Sequence, residues 1–286
     1  MAIEPELMLN ALFPIDEDIA SRVDALNLGF NHYGIDRFGI DRAELGRLLT
    51  FFARFYHHYF RVRVVGIENV PDAGRTLLIG NHSGGLPIDG SIVMGSLAFE
   101  KEPPRLAHAM VDEFFYAFPG TAQLFARTGQ FTGNPEQAAR LLVDERVVLA
   151  FPEGARGTAK LAKEADSLVR FGSGFMRLAI QMKCPIVPFA FIGGGEALPT
   201  IANLTRVGKL FGLPYIPVPR YLLMLPRPTS LELIYGEPMV FEGTGNETDA
   251  EVFERVEQVR DRIAGLIRQG RQFRNGQLCA KDIVLG

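Results

Sequence analysis

Residues 147–157 read Val-Val-Leu-Ala-Phe-Pro-Glu-Gly-Ala-Arg-Gly, and residues 76–90 read Thr-Leu-Leu-Ile-Gly-Asn-His-Ser-Gly-Gly-Leu-Pro-Ile-Asp-Gly. In both, a short apolar run passes directly into a turn made of Gly and Pro. Unbroken apolar runs of this length fit strands covered on both faces, the habit of parallel sheets flanked by helices. Sites in such sheets form beyond the carboxyl ends of the strands. These two turns therefore deserve the closest reading.

Working outward, Arg61–Val65, Arg105–Met110, Ile186–Ile192 and Leu231–Tyr235 also read as strands. Helical spacing recurs over Gly90–Phe99, Phe114–Phe125, Pro135–Val143, Phe171–Met182 and Asp249–Gln272. Strands alternating with helices predict an α/β fold, with a mostly parallel central sheet flanked by helices. Before them, Leu45, Leu48, Leu49, Phe52, Tyr56 and Tyr59 form the stripe of an amphipathic helix over Leu45–Phe60. Residues 1–43 mix Gly, Asp and aromatics as an ordered, loop-rich lead-in. The expected organisation is an N-terminal helical cap over residues 1–60, an α/β domain over 61–272 and a tail over 273–286.

Composition narrows the function. The chain has 286 residues, 30 Lys and Arg against 33 Asp and Glu, and a mean hydropathy of +0.10. That charge balance argues against a nucleic-acid partner. Cys184 and Cys279 make neither a zinc site nor a disulfide framework, so no metal is expected. No run of about 18 uncharged apolar residues suggests a spanning helix. Neither Ser83 nor Ser173 sits in a hydrolase elbow, and Gly193-Gly-Gly195 lacks dinucleotide-binding spacing and reads as a loop.

The first turn carries His82 and Asp89. Pro87 suits the first position of a helix, which puts Asp89 in its first turn. A carboxylate on one ring nitrogen fixes the tautomer and leaves the other nitrogen as a base. The plainer alternative is that His82 caps the helix and Asp89 satisfies its first amides. In the second turn, Pro152 is expected to project Glu153 into the crevice, Gly154 to admit a substrate, and Arg156 to offer a planar fork to phosphate or carboxylate. The alternative there is an internal Glu–Arg pair.

Taken together, these residues resemble the glycerolipid acyltransferase superfamily, which includes lysophosphatidate and glycerol-phosphate acyltransferases. Four ordered blocks have counterparts: Asn81-His82…Asp89, Gly129-Gln-Phe-Thr-Gly-Asn134, Phe151-Pro-Glu-Gly154 with Arg156, and Pro185-Ile-Val-Pro-Phe189. The resemblance implies transfer of a fatty acyl group from acyl-CoA or acyl carrier protein, as co-substrate, to a hydroxyl of a glycerolipid such as lysophosphatidate. No further cofactor is implied. His82 is then the base and Asp89 its partner. Gln130, Phe131, Glu153, Gly154 and Arg156 are carried over as substrate-binding residues, and backbone amides near Gly84 or Gly85 as oxyanion donors.

The pattern departs from the family in two places. Six residues separate His82 from Asp89, against the usual four. The Leu-Pro-Ile-Asp version resembles the branch acting on mono- and diacylglycerols. Where the second block often carries an Arg for acceptor phosphate, Gly133 or Asn134 stands. Alternatives are therefore a neutral lipid alcohol as acceptor, or an inactive lipid-binding relative. A lipid acceptor places the protein peripherally on the cytoplasmic face of a membrane. The contacting stretches would be Leu45–Phe60, rich in aromatics and Arg, or Leu210–Leu225, broken by Pro214, Pro217 and Pro219.

Overall fold

The computed structural model describes residues 14–83, 88–113, 120–210, 212–221 and 225–286. Among them the strands are β1 (Arg63–Val65), β2 (Thr76–Gly80), β3 (Ala107–Val111), β4 (Phe131–Thr132), β5 (Val147–Ala150), β6 (Ile186–Ile192), β7 (Thr200–Leu204), β8 (Ile216–Pro219) and β9 (Glu232–Tyr235). The helices are α1 (Glu17–Ala25), α2 (Arg42–Arg54), α3 (Ile88–Phe99), α4 (Thr121–Arg127), α5 (Pro135–Val143), α6 (Ala155–Thr158), α7 (Gly174–Met182), α8 (Gly194–Ala197), α9 (Thr205–Leu210) and α10 (Asp249–Arg274).

Seven strands form one sheet in the order β1-β9-β6-β2-β5-β3-β4. From β6 to β4 every neighbour is parallel; β9 runs antiparallel to β6, and β1 parallel to β9. The alternation of strand side chains builds a core on each face. Leu78, Leu149, Val187 and Phe189 meet α1, α2 and α3, while Leu77, Ile79, Val148, Ile186 and Ile192 meet α5, α7 and α10. Apolar runs such as Ile186–Ile192 are fully buried because both faces are covered.

Local signals set the helix starts. Asp41 accepts from the amides of Ala43 and Glu44 at 2.9 and 3.0 Å. Thr248 and Glu251 close a reciprocal capping box at the start of α10. Asn134 caps α5, with Pro135 at the first position.

Several expectations change. The helix expected over Leu45–Phe60 is α2 followed by one π-helical turn, Phe55–Tyr59, in which the Phe60 amide reaches Phe55 O at 2.8 Å. Its aromatics are divided: Tyr56 and Phe60 are buried, Phe52 packs on Phe99, and Phe51 and Phe55 are exposed. The loop-rich lead-in contains α1, whose Ile19 and Val23 are buried. Gly193–Gly195 leads into the short helix α8 rather than a plain loop. Of the helix expected over Phe114–Phe125, residues 114–119 lie outside the described residues, as do Gly84–Pro87. The pairing of β7 with β8 in a separate antiparallel sheet carried no sequence signal.

Two glycines of α10 respond oppositely to the same substitution. A Cβ at Gly270 would lie 2.3 Å from Ile192 Cδ1 and 2.8 Å from Ile234 Cδ1, whereas at Gly265 the nearest neighbour is 3.9 Å away. Gly270→Ala should lower unfolding free energy by about 1–3 kcal/mol through overpacking. Gly265→Ala should be neutral or stabilise by up to about 1 kcal/mol. Urea titration of both variants checks the sign.

Candidate active site

The register of β2 with β5 assembles the site. Ile79 lies opposite Ala150, so the chains that run on to His82 and to Glu153 leave the sheet at the same level. The two turns therefore meet at the carboxyl edge, although Glu153 lies 71 positions after His82 in the chain.

His82 and Asp89 are in contact. Nδ1 of His82 lies 2.8 Å from Oδ2 of Asp89, and both residues are buried. A carboxylate only accepts, so the ring proton sits on Nδ1 and Nε2 keeps its lone pair. The carboxylate is itself fixed: Oδ1 accepts from the Gly90 amide at 2.9 Å, and Oδ2 accepts more weakly from the Ser83 amide at 3.4 Å. The imidazole stacks on Phe151, with centroids 4.0 Å apart and planes within 16°. The ring is thus held on one side by charge and on its face by an aromatic plane.

Glu153 does not face the crevice, and this corrects the expectation drawn from Pro152. Its carboxylate turns inward, accepting from the His82 amide at 2.9 Å, from Val169 N at 2.9 Å and from Lys160 Nζ at 2.7 and 2.8 Å. Lys160 Nζ also donates to His82 O at 2.6 Å. Burial pushes the Lys160 ammonium below its ordinary value, and Glu153 opposes that shift. Small residues make the approach possible. Gly154 adopts φ +56° and ψ −152°, a region closed to side chains, and a Cβ on Gly157 would sit 2.8 Å from His82 Cβ. The sequence offered no signal for Lys160, which lies in a loop without pattern.

His82 and Asp89 line a cavity of about 570 Å³. Its walls are mainly apolar, contributed by α2 (Leu48, Phe52), α3 (Met94), α4 (Leu124) and the chain before β8 (Leu213, Pro214). Gln130 and Gly154 line it as well. Gln130 is tied to Thr128, donating to its carbonyl at 3.0 Å and accepting from its hydroxyl at 2.6 Å. Phe131 is buried and faces a second, smaller cavity beside His108 instead. Burial pushes His108 down to about 3, so it stays neutral and its Nδ1 donates to Gly129 O at 3.0 Å. Arg156 is exposed, outside the cavity lining, and its guanidinium donates to Arg170 O at 3.1 Å. The amides of Gly84 and Gly85 lie outside the described residues.

A family model described as Acyltransferase matches residues 61–192, from the approach to β1 through β6. An uncharacterised protein of Mycobacterium tuberculosis is 33% identical over 247 residues, which cover 81% of this chain and 68% of that one. A Mycobacterium leprae protein is similar at 33% over 244 residues, so the chain spans about two thirds of the length of these relatives. A mouse protein named "DGAT1/2-independent enzyme synthesizing storage lipids" is 27% identical over 227 residues, covering 76% of this chain and 64% of its own. The crystal structure of the 1-acyl-sn-glycerophosphate (LPA) acyltransferase PlsC from Thermotoga maritima matches over 92% of each chain, with a TM-score of 0.55 and 15% identity. At that identity the likeness concerns the fold.

The inward Glu153–Lys160 pair makes a stability prediction. Removing either partner leaves a buried charge unpaired, a loss of about 3–5 kcal/mol. Lys160→Met and Glu153→Gln should each lower the denaturation midpoint strongly. The double variant should lose less than the sum of the two, since no lone charge remains. Additive losses in a denaturation cycle would contradict the pairing.

Proposed function

Starting from the fact that this chain belongs to the acyltransferase family, we propose that it transfers a fatty acyl group from a thioester, acyl-CoA or acyl carrier protein, to a hydroxyl of a glycerolipid. The observation that carries this reading is the His82–Asp89 contact at the wall of a large, mostly apolar cavity. Nε2 of His82 takes the proton of the acceptor hydroxyl as its oxygen attacks the thioester carbonyl. The new C–O bond forms, the C–S bond breaks, and the imidazolium returns the proton to the departing thiolate. Asp89 steadies the imidazolium between these steps. The cavity receives the acyl chain and keeps water from the thioester. The six-residue spacing was the one support for an inactive lipid-binding relative, and it does not separate the two side chains.

The acceptor reading turns on charge. No Lys or Arg is among the described residues lining the cavity. Arg156, the expected phosphate partner, points to Arg170 O instead. This favours a neutral acylglycerol, a mono- or diacylglycerol, over lysophosphatidate, whose phosphate needs a cation. The storage-lipid name of the mouse relative supports the same choice. No helix among the described residues is long and apolar enough to cross a membrane. With such an acceptor the protein works peripherally at a bilayer, on its cytoplasmic face.

Purified protein offered a mixture of acyl-CoAs with monoacylglycerol, diacylglycerol and lysophosphatidate should acylate the neutral acceptors faster, as read by mass spectrometry. His82→Ala should cut kcat by about 10²–10⁴-fold with the fold intact. Asp89→Asn should be milder, yet at least about tenfold. Near-normal turnover in folded His82→Ala protein would end the assignment.

A further inference from the structure

Residues 197–231 carry Arg206, Lys209, Arg220 and Arg227 and not one Asp or Glu, in a chain of net charge −3. The stretch lies outside the segment that the Acyltransferase model matches. It follows β6 and folds largely as β7, α9 and β8, a two-stranded unit separate from the main sheet. One side of this unit is committed to the protein. Asn203 Nδ2 donates to Ala159 O, and Leu213, Pro214 and Pro217 wall the cavity.

Other side chains of the unit have no cover. Ile201, Leu204, Val207 and Leu210 are exposed, Leu210 by 82%. Single exposed apolar residues are ordinary, but this short unit carries four of them. Arg206, Lys209 and Arg220 are exposed and make no ion pair among the described residues. Arg227 stands over the exposed Tyr221 ring, 4.9 Å from its centroid.

We infer that this unit is the surface by which the protein docks on an anionic lipid bilayer, an inference resting on the reading that its acceptor is a lipid. A purely acidic partner leaves the exposed Leu and Ile in water. A purely apolar one leaves the acid-free basic surface unanswered. The boundary of an anionic leaflet satisfies both, with apolar side chains entering the acyl region and cations at the headgroups. The same unit walls the cavity, so docking brings the cavity close to the lipid it draws on.

The test is sedimentation of the whole chain with vesicles of phosphatidylcholine alone or mixed with phosphatidylglycerol, across a salt series. The protein should prefer the anionic vesicles and release with salt. Arg206→Gln with Lys209→Gln should weaken anionic binding by about 25-fold, near fivefold per charge. Val207→Ser with Leu210→Ser should weaken binding to both vesicle types. None of these four residues lines the cavity, so acyl transfer to a dispersed short-chain acceptor should be unchanged. Melting curves confirm that the variants fold. The inference is overturned if both double variants bind as the parent does. It is equally overturned if the parent ignores vesicles, or if only Phe51→Ser with Phe55→Ser releases it. Vesicle binding is read without turnover, so a protein that docks through this unit yet transfers no acyl group would refute the reaction and leave the surface standing.

Discussion

The buried carboxylate of Glu153 joins three parts of the chain that the sheet only brings near one another. It accepts from the His82 amide after β2, from Lys160 after α6 and from Val169 N further along. Lys160 then reaches back to His82 O. The backbone on both sides of the His82 side chain is thus fixed by groups that have left water. A lone carboxylate at that depth would be costly, and so would a lone ammonium. Each is tolerable because the other is present and because backbone donors and acceptors satisfy the remaining valences. The His82 ring inherits its position from this joint; Asp89 and Phe151 need only set its rotation.

This arrangement explains how a Glu next to Pro and Gly at a strand end has a structural role beside the His82–Asp89 pair. Substrate needs room beyond the strands, and room means loops. Loops hold a base in place only when something rigid ties them down. Here the tie is ionic and internal, and the described lining of the cavity carries no Lys or Arg. A cation placed in the wall could have held a phosphate. Lys160 instead spends its charge on the loop.

Most of the sheet was legible because burial on both faces leaves a simple trace: the runs Thr76–Ile79, Val147–Ala150 and Ile186–Ile192 have no polar alternation to confuse them. The His82–Asp89 dyad was legible as a pair of residue types, not as a contact. Sequence spacing alone does not say whether a longer turn closes or opens. The direction of Glu153 was misread because Pro152 fixes a backbone angle, whereas the side chain follows its partners, and Lys160 was invisible. The β7–β8 unit escaped because prolines at 214, 217 and 219 argue against a strand in a ladder interior; a two-stranded sheet has only edges, where proline is tolerated. Phe131 and Arg156 carried a family pattern whose side chains, in this chain, face other surroundings.

The buried setting of the His82–Asp89 pair bears on the role proposed for Asp89. In the proposed reaction an imidazolium formed beside Phe151, away from bulk water, would lose much of its hydration. The charge then has to be met by a group already in place, because reorganising one during the reaction would add to the barrier. Asp89 meets that condition: its own amides hold it, and it sits in the first turn of α3, where the helix field favours a carboxylate. Four intervening residues or six are equivalent to this chemistry so long as the turn returns the chain to the start of α3.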